Sequence, residues 1–302
     1  MSNTFKLSRL SLVLKSHLVE HKQRYLYYLA GMFFIGLVIM LLVVSTHNFA
    51  SYGNVYTVEN KPYATDWEVV QTVIYLSGLA IFALIFSSVS FVNFNNKGEA
   101  IFYLIKPASQ FEKWLTEIIV HVFLFFAAYT LIFYLVDIPM TILVRSLEYD
   151  YFLEQYKEWD PLLKANNRFH PSDFFHFGML YEDFPLIYPI CISLYLTGTA
   201  FFMYGAVLFN RFSFFKTLFL AFVTAIAYVI YAIVFFKNYT LPFMPEGWTF
   251  QSLLKATYSG TEGYFAAELP EQLGWGVLFF FMAFVPAVLF ACSYFKLKEK
   301  EV

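Results

Sequence analysis

The chain has 302 residues, of which 59% are apolar and only 14% charged, with 39 phenylalanines and a formal net charge of −2. An ordinary soluble protein is roughly one-quarter charged, so this composition disfavours a water-soluble globule and makes a bilayer the natural solvent. The near-neutral charge, with no basic patch interleaved with stacking aromatics, gives no support to a nucleic-acid partner.

Residues 1–24 come first and predict a helix lying on the membrane. Leu7, Leu10, Leu14 and Leu18 recur at three- and four-residue steps and give one apolar face. Lys6, Arg9, Lys15, Lys22 and Arg24 supply cationic heads suited to anionic headgroups. The same charges also fit a plain topology anchor. Six apolar runs follow, at about 25–44, 69–94, 114–144, 184–209, 214–236 and 273–295. Each is continuous rather than alternating, and about 20 residues suffice to cross the hydrocarbon core, so each reads as a spanning helix. The expected fold class is an all-α polytopic membrane protein, a single transmembrane domain with six spans and an N-terminal interfacial helix. The first run starts late and lacks a small-residue cleavage site, which argues against a cleavable signal peptide.

Lysine and arginine orient the chain. With the N-terminus inside, the cytoplasmic segments hold 13 basic residues and the outer segments hold 7. The expectation is therefore N-in and C-in. The outer segments are the polar loop before span two, 145–183 and 237–272. The 145–183 segment reads as a small folded cap or a functional loop, because it is too long for a passive connector. The 237–272 segment reads as short helices dipping into the outer leaflet. Ser87, Ser88 and Ser90 close span two with small residues that permit tight helix approach. A helix from Gln110 to Val144 is long enough to begin inside and emerge outside. Pro286 predicts a kink in span six. Cys191 and Cys292 both fall within spans, where a thiol is ordinarily packing.

Between spans two and three lies a charged insert, 95–113, on the cytoplasmic side. Gly98 brings flexibility, and Lys97 and Glu99 make its first turn polar. Ile101, Leu104, Ile105 and Ala108 share one apolar helical face. Pro107 biases the preceding residue away from helix, so a short helix ends there. Ser109 and Glu112 then form a Ser-x-x-Glu capping box at the start of span three, with Lys113 beside it. Helix, break and capped helix make an elbow that fits a groove on a soluble partner, although an ordinary solvated loop has the same composition.

Ionisable groups inside the spans are the remaining candidates. Glu117 and His121 lie four apart on one face of span three, and Asp137 follows toward its outer end. Such groups are usually paired or functional. Glu117 and His121 fit a structural pair or a coupling role. Asp137 fits a translocation path, a pair with Arg145, or a place among headgroups. No phosphate-binding Gly-x-x-x-x-Gly-Lys-Ser/Thr loop and no hydrolase or zinc-protease motif occurs. His170 and His176 stand near Asp173, Glu182 and Asp183 in the outer segment, but their spacing does not demand a metal. The expectation is therefore no catalytic residues, no bound metal and no cofactor in this chain.

The six-span layout, the interfacial helix and the stretch Lys97-Gly98-Glu99, Leu104, Pro107-Ala108-Ser109, Glu112-Lys113 resemble the permease subunits of ABC-2-type transporters. The likeness covers the whole chain in layout and about 20 residues in motif. The long 145–183 segment departs from the short connection usual there. The resemblance implies a non-enzymatic subunit of an ATP-driven exporter in a bacterial cytoplasmic membrane. It also implies a separate ABC ATPase that carries ATP and Mg, and a second permease copy or paralogue completing a dimer in membrane lipid. Residues 95–113 and the interfacial helix would then transmit ATPase closure to the spans. A non-transporting scaffold that recruits a cytoplasmic protein through the same elbow is the alternative, and an intramembrane enzyme a weaker one.

Overall fold

A computed structural model describes residues 5–46, 57–58, 61–62, 66–91, 98, 108–155, 187–209, 212–239, 255–260, 263–268 and 271–300. Seven helices dominate them. They are α1 (Leu7–Glu20), α2 (Lys22–Thr46), α3 (Asp66–Ser87), α4, α5 (Ile187–Leu208), α6 (Ser213–Tyr239) and α7 (Glu271–Lys300). Helix α4 is one long rod made of Gln110–Ile118, a π-helical stretch Ile119–Leu124, and Phe125–Gln155. Four helices are long and apolar enough to cross a membrane: 22–45, 110–143, 190–208 and 213–231. They coincide with the first, third, fourth and fifth sequence runs. The second and sixth runs also form helices, α3 and α7.

The architecture is helical, as expected, and two short antiparallel hairpins accompany the helices: Thr57–Val58 (β1) pairs with Lys61–Pro62 (β2), and Lys255–Gly260 (β3) with Gly263–Glu268 (β4). Some finer expectations are corrected. The second hairpin occupies 255–260 and 263–268, where short helices were expected; residues 240–254 of that segment lie outside the described residues. Its first strand alternates as Lys-Ala-Thr-Tyr-Ser, and Gly260 pairs with Gly263 next to the connection. Helix α3 stops at Ser87 rather than near Phe94. The Ser90 N–H turns back to the Ser87 carbonyl at 3.1 Å, and Phe91 takes a left-handed φ of 57°, which ends the ladder. Helix α4 continues to Gln155, so the first part of 145–183 is helix; residues 156–186 lie outside the described residues. Pro286 lies inside α7.

The chain divides into two compact units. The first comprises residues 1–86 and 106–191, and the second 87–105 and 192–302. In the first unit, α1 packs on the Gln110–Ile118 part of α4, and α2 packs along its later part. One stripe of α4 is buried at every fourth residue: Lys113, Glu117, His121, Phe125, Tyr129, Phe133, Asp137 and Thr141. Four-residue steps advance about 40° beyond a full turn of an α-helix. The wider π-helical turn around His121 takes out part of that drift. Aromatic rings fill the middle of the stripe. Phe86 stacks on Phe125 at 5.0 Å, and Tyr75 sits 5.1 Å from Phe133 and 5.5 Å from Tyr129. The Tyr129 hydroxyl donates to the Tyr75 carbonyl at 3.0 Å. Gly78 makes room for that hydroxyl, which a β-carbon there would strike.

The second unit is joined differently. Gly205 of α5 lies against Thr217 of α6, so closely that any β-carbon would collide with the threonine side chain. The Ser213 hydroxyl donates to the Ser88 carbonyl at 2.7 Å, and the Ser193 hydroxyl to the Met282 carbonyl at 3.0 Å. Phe202 and Phe214 rings meet at 5.5 Å. The opposite face of α6 presents Phe215, Phe219 and Phe222, all exposed, as suits a helix bathed in lipid.

Candidate functional site

The side chains with the most chemistry converge where α1 meets the start of α4. Ser109 has an extended backbone (φ −69°, ψ 154°) and caps α4. The Glu112 N–H donates to Ser109 Oγ at 3.3 Å, and the Ser109 N–H donates to Glu112 Oε2 at 2.8 Å. This is the reciprocal capping box that the spacing predicted. The Glu112 carboxylate does more than cap its own helix. It also accepts the backbone N–H of Lys6 on Oε1 at 2.9 Å and Arg9 Nε–H on Oε2 at 2.7 Å.

Lys6 is the N-cap residue of α1 and makes no side-chain cap there. One buried carboxylate therefore sits at the N-terminal ends of two helices, where the exposed N–H groups and the helix dipoles favour negative charge. Glu112 is fully buried and Arg9 about a quarter exposed. Charge-assisted bonds of this kind are among the stronger contacts a helix pair makes. Phe5 edges onto Phe111 at 5.9 Å, closing the apolar side of the junction. Arg9, read from the sequence as a headgroup contact, is thus turned onto the protein, because a buried acid is a stronger partner than hydrated phosphate.

A second cluster lies further along the same two helices. Glu117 and His121 are both buried. The His121 Nδ1 lies 3.0 Å from the Glu117 carbonyl and 3.2 Å from its Oε2. His17 of α1 comes from the other side, with Nδ1 3.8 Å from Glu117 Oε1 and Nε2 2.6 Å from the Tyr25 hydroxyl on α2. The His21 ring stands 4.8 Å from that of His17, and the Phe86 ring 4.6 Å from that of His121. Three helices and the turn between α1 and α2 thus share one polar joint. No family model matches the chain, and neither a curated protein nor a solved structure does.

The third polar group lies toward the far end of α4. Gln71 Nε2 donates to Asp137 Oδ1 at 2.6 Å and to Thr141 Oγ1 at 2.8 Å. Both Gln71 and Asp137 are completely buried, so the Asp137 side chain faces protein. The Arg145 side chain lies outside the described residues.

The structure covers the sequence candidates unevenly. Lys97, Glu99, Ile101, Leu104, Ile105 and Pro107 lie outside the described residues; Gly98 is helical and exposed, and Ala108 half-buried. Lys113 is buried beside Glu112. Of the leucine stripe on α1, Leu10 is buried and Leu14 half-buried, while Leu7 and Leu18 are exposed. His17, His21, Tyr25 and Gln71 were not singled out from the sequence. A signal for the first three was present: they recur at four-residue steps, as do Glu117 and His121. Among the described residues, no three His, Cys, Asp or Glu side chains are grouped to hold a metal ion.

Proposed function

We propose that the chain is the membrane-spanning permease subunit of an ABC-2-type exporter. It crosses the bacterial cytoplasmic membrane six times, with both termini inside, and pairs with a second permease copy. A separate ABC ATPase, carrying ATP and Mg, does the chemical work, and residues 95–113 receive its motion. The observation that carries this reading is the doubly used Glu112. An elbow can drive a span only if its foot is rigid, and here the foot of α4 is locked by one buried carboxylate to the interfacial helix. Force applied at Pro107 would reach α1 and α4 together instead of being absorbed by a loose loop. Four helices of spanning length support the membrane setting.

The test is purification of the chain from its native membrane, followed by an ATPase assay on whatever co-purifies. An associated ATPase stimulated by the chain is expected, and substitutions at Glu99, Leu104 or Pro107 are expected to cut the stimulation at unchanged membrane insertion. Capture of a partner with no ATPase activity would favour the scaffold reading. Accessibility labelling that places residues 97–109 outside the cell would overturn both.

A further inference from the structure

We propose that α1 and the first part of α4 form a lever that pivots on the rest of the first unit, with its hinge at His21 and the π-helical turn Ile119–Leu124. The inference stands on the geometry of the first unit alone and does not depend on the transport reading.

Two firmly tied pieces lie on either side of that level. In one, the Glu112 carboxylate accepts from the N–H groups of Lys6 and Ser109 and from Arg9, so α1 and Gln110–Ile118 are bound at a single acid. In the other, α3 is tied to the later part of α4. Tyr129 donates its hydroxyl to the Tyr75 carbonyl, the Tyr75 hydroxyl meets Thr130 Oγ1 at 3.0 Å, and Gln71 donates to both Asp137 and Thr141. Helix α2 packs along that same part of α4.

Within the first unit, two stretches of chain join the pieces, and both depart from the regular α-helix. At the first, His21 separates α1 from α2 with φ −104° and ψ 11°, well away from helical ψ. At the second, the Phe125 N–H reaches back five residues to the Val120 carbonyl, so the turn holds one residue more than the α-helical turn it replaces. The two departures lie side by side. His17, just before the first, has Nδ1 3.8 Å from Oε1 of Glu117, just before the second. Just beyond the first, the Tyr25 ring stands 5.8 Å from that of Phe86, which is 4.6 Å from the His121 ring inside the π turn. Helix α3 ends at Ser87, beside the same point.

A hinge needs a few residues that absorb the dihedral change while the regular segments move whole. An irregular turn in α4 alone would be splinted by an unbroken helix running beside it. The break at His21 removes the splint. The surplus residue supplies the play, since an α-helix that takes up one residue turns by about 100° and advances by about 1.5 Å.

The test uses the full chain in nanodiscs, with Cys191→Ser and Cys292→Ser, and spin labels at exposed positions. Leu12→Cys with Leu135→Cys reads across the hinge, and Val38→Cys with Leu131→Cys reads within the far piece. The pair across the hinge is expected to give a broad distance distribution and the pair within the piece a narrow one. Deletion of Phe123, which is exposed, removes the surplus residue and leaves an unbroken α-helix with both pieces in register. It should narrow the distribution across the hinge to the width of the other pair, and deletion of Leu124 instead should do the same. A distribution across the hinge as narrow as the one within the piece, or one that stays broad in both deletions, would overturn the lever. So would a broadened distribution within the far piece in both deletions, because the turn would then hold the fold together instead of bending it.

Discussion

The two units of this molecule share close approach at glycine and hydroxyl-to-carbonyl bonds but differ in what is added to them. In the first, Glu112, Glu117, Asp137 and Gln71 are buried side chains joined to partners on other helices or on their own. In the second, a glycine lets two backbones approach, and single hydroxyls reach across to carbonyls. Lipid tails are as apolar as leucine, so burial alone does not drive helices together there; close packing and interhelical hydrogen bonds do. Among its described residues, the second unit uses that minimum. The first adds ionisable groups that are costly to bury unless they are paired.

If that contrast is correct, Glu112→Ala should have the largest effect. Removing it takes one acceptor from the Lys6 N–H, the Arg9 guanidinium and the Ser109 N–H together, leaving only the backbone half of the α4 cap. A loss of about 3 kcal/mol is expected, read by thermal unfolding of the detergent-solubilised chain. A loss below that of any second-unit variant would erase the distinction. Gly205→Ala should come next, at about 2 kcal/mol, because the added methyl meets Thr217 with nowhere to go. The double variant Gly205→Ala, Thr217→Gly, which also removes the Thr217 Cβ 2.8 Å from the added methyl, should recover part of it, as coupled neighbours do. No recovery would mean that the close approach is not what joins α5 to α6.

Gln71→Leu should lower stability by about 1–2 kcal/mol, since it removes the amide donor that both Asp137 and Thr141 accept from. Asp137→Asn, which keeps an acceptor facing Gln71, should be milder in the same assay. Equal losses would show that the charge at Asp137, rather than the amide bond, matters to the fold. The smallest change expected is for Ser213→Ala, about 0.5–1 kcal/mol, from loss of one hydroxyl bond to Ser88. An effect as large as that of Glu112→Ala would show that the second unit relies on polar links after all.

Parts of this architecture were plain in the residue order. The capping box at Ser109 and Glu112 is local, with both bonds closing within four residues, so spacing alone specified it. The long apolar runs demanded helices because they are continuous, whereas the strands of a closed barrel, the other backbone arrangement that satisfies itself in lipid, alternate. The hairpin at 255–260 and 263–268 was missed because short mixed segments with glycine fit either strands or irregular helices. The π-helical turn around His121 left no compositional mark, since it answers to what the side chains meet rather than to local preference.

Composition and run length were enough to foretell helices long and apolar enough to cross a bilayer, because the cost of exposing apolar surface to water and unpaired backbone to lipid depends on few details. They were not enough to say that Arg9 faces an acid and not a headgroup, or that His17 stands beside Glu117. Residues separated by about a hundred positions meet only when helices pack at a particular angle and depth. That geometry is set by many small contacts at once, none of which is written in any single stretch of the chain.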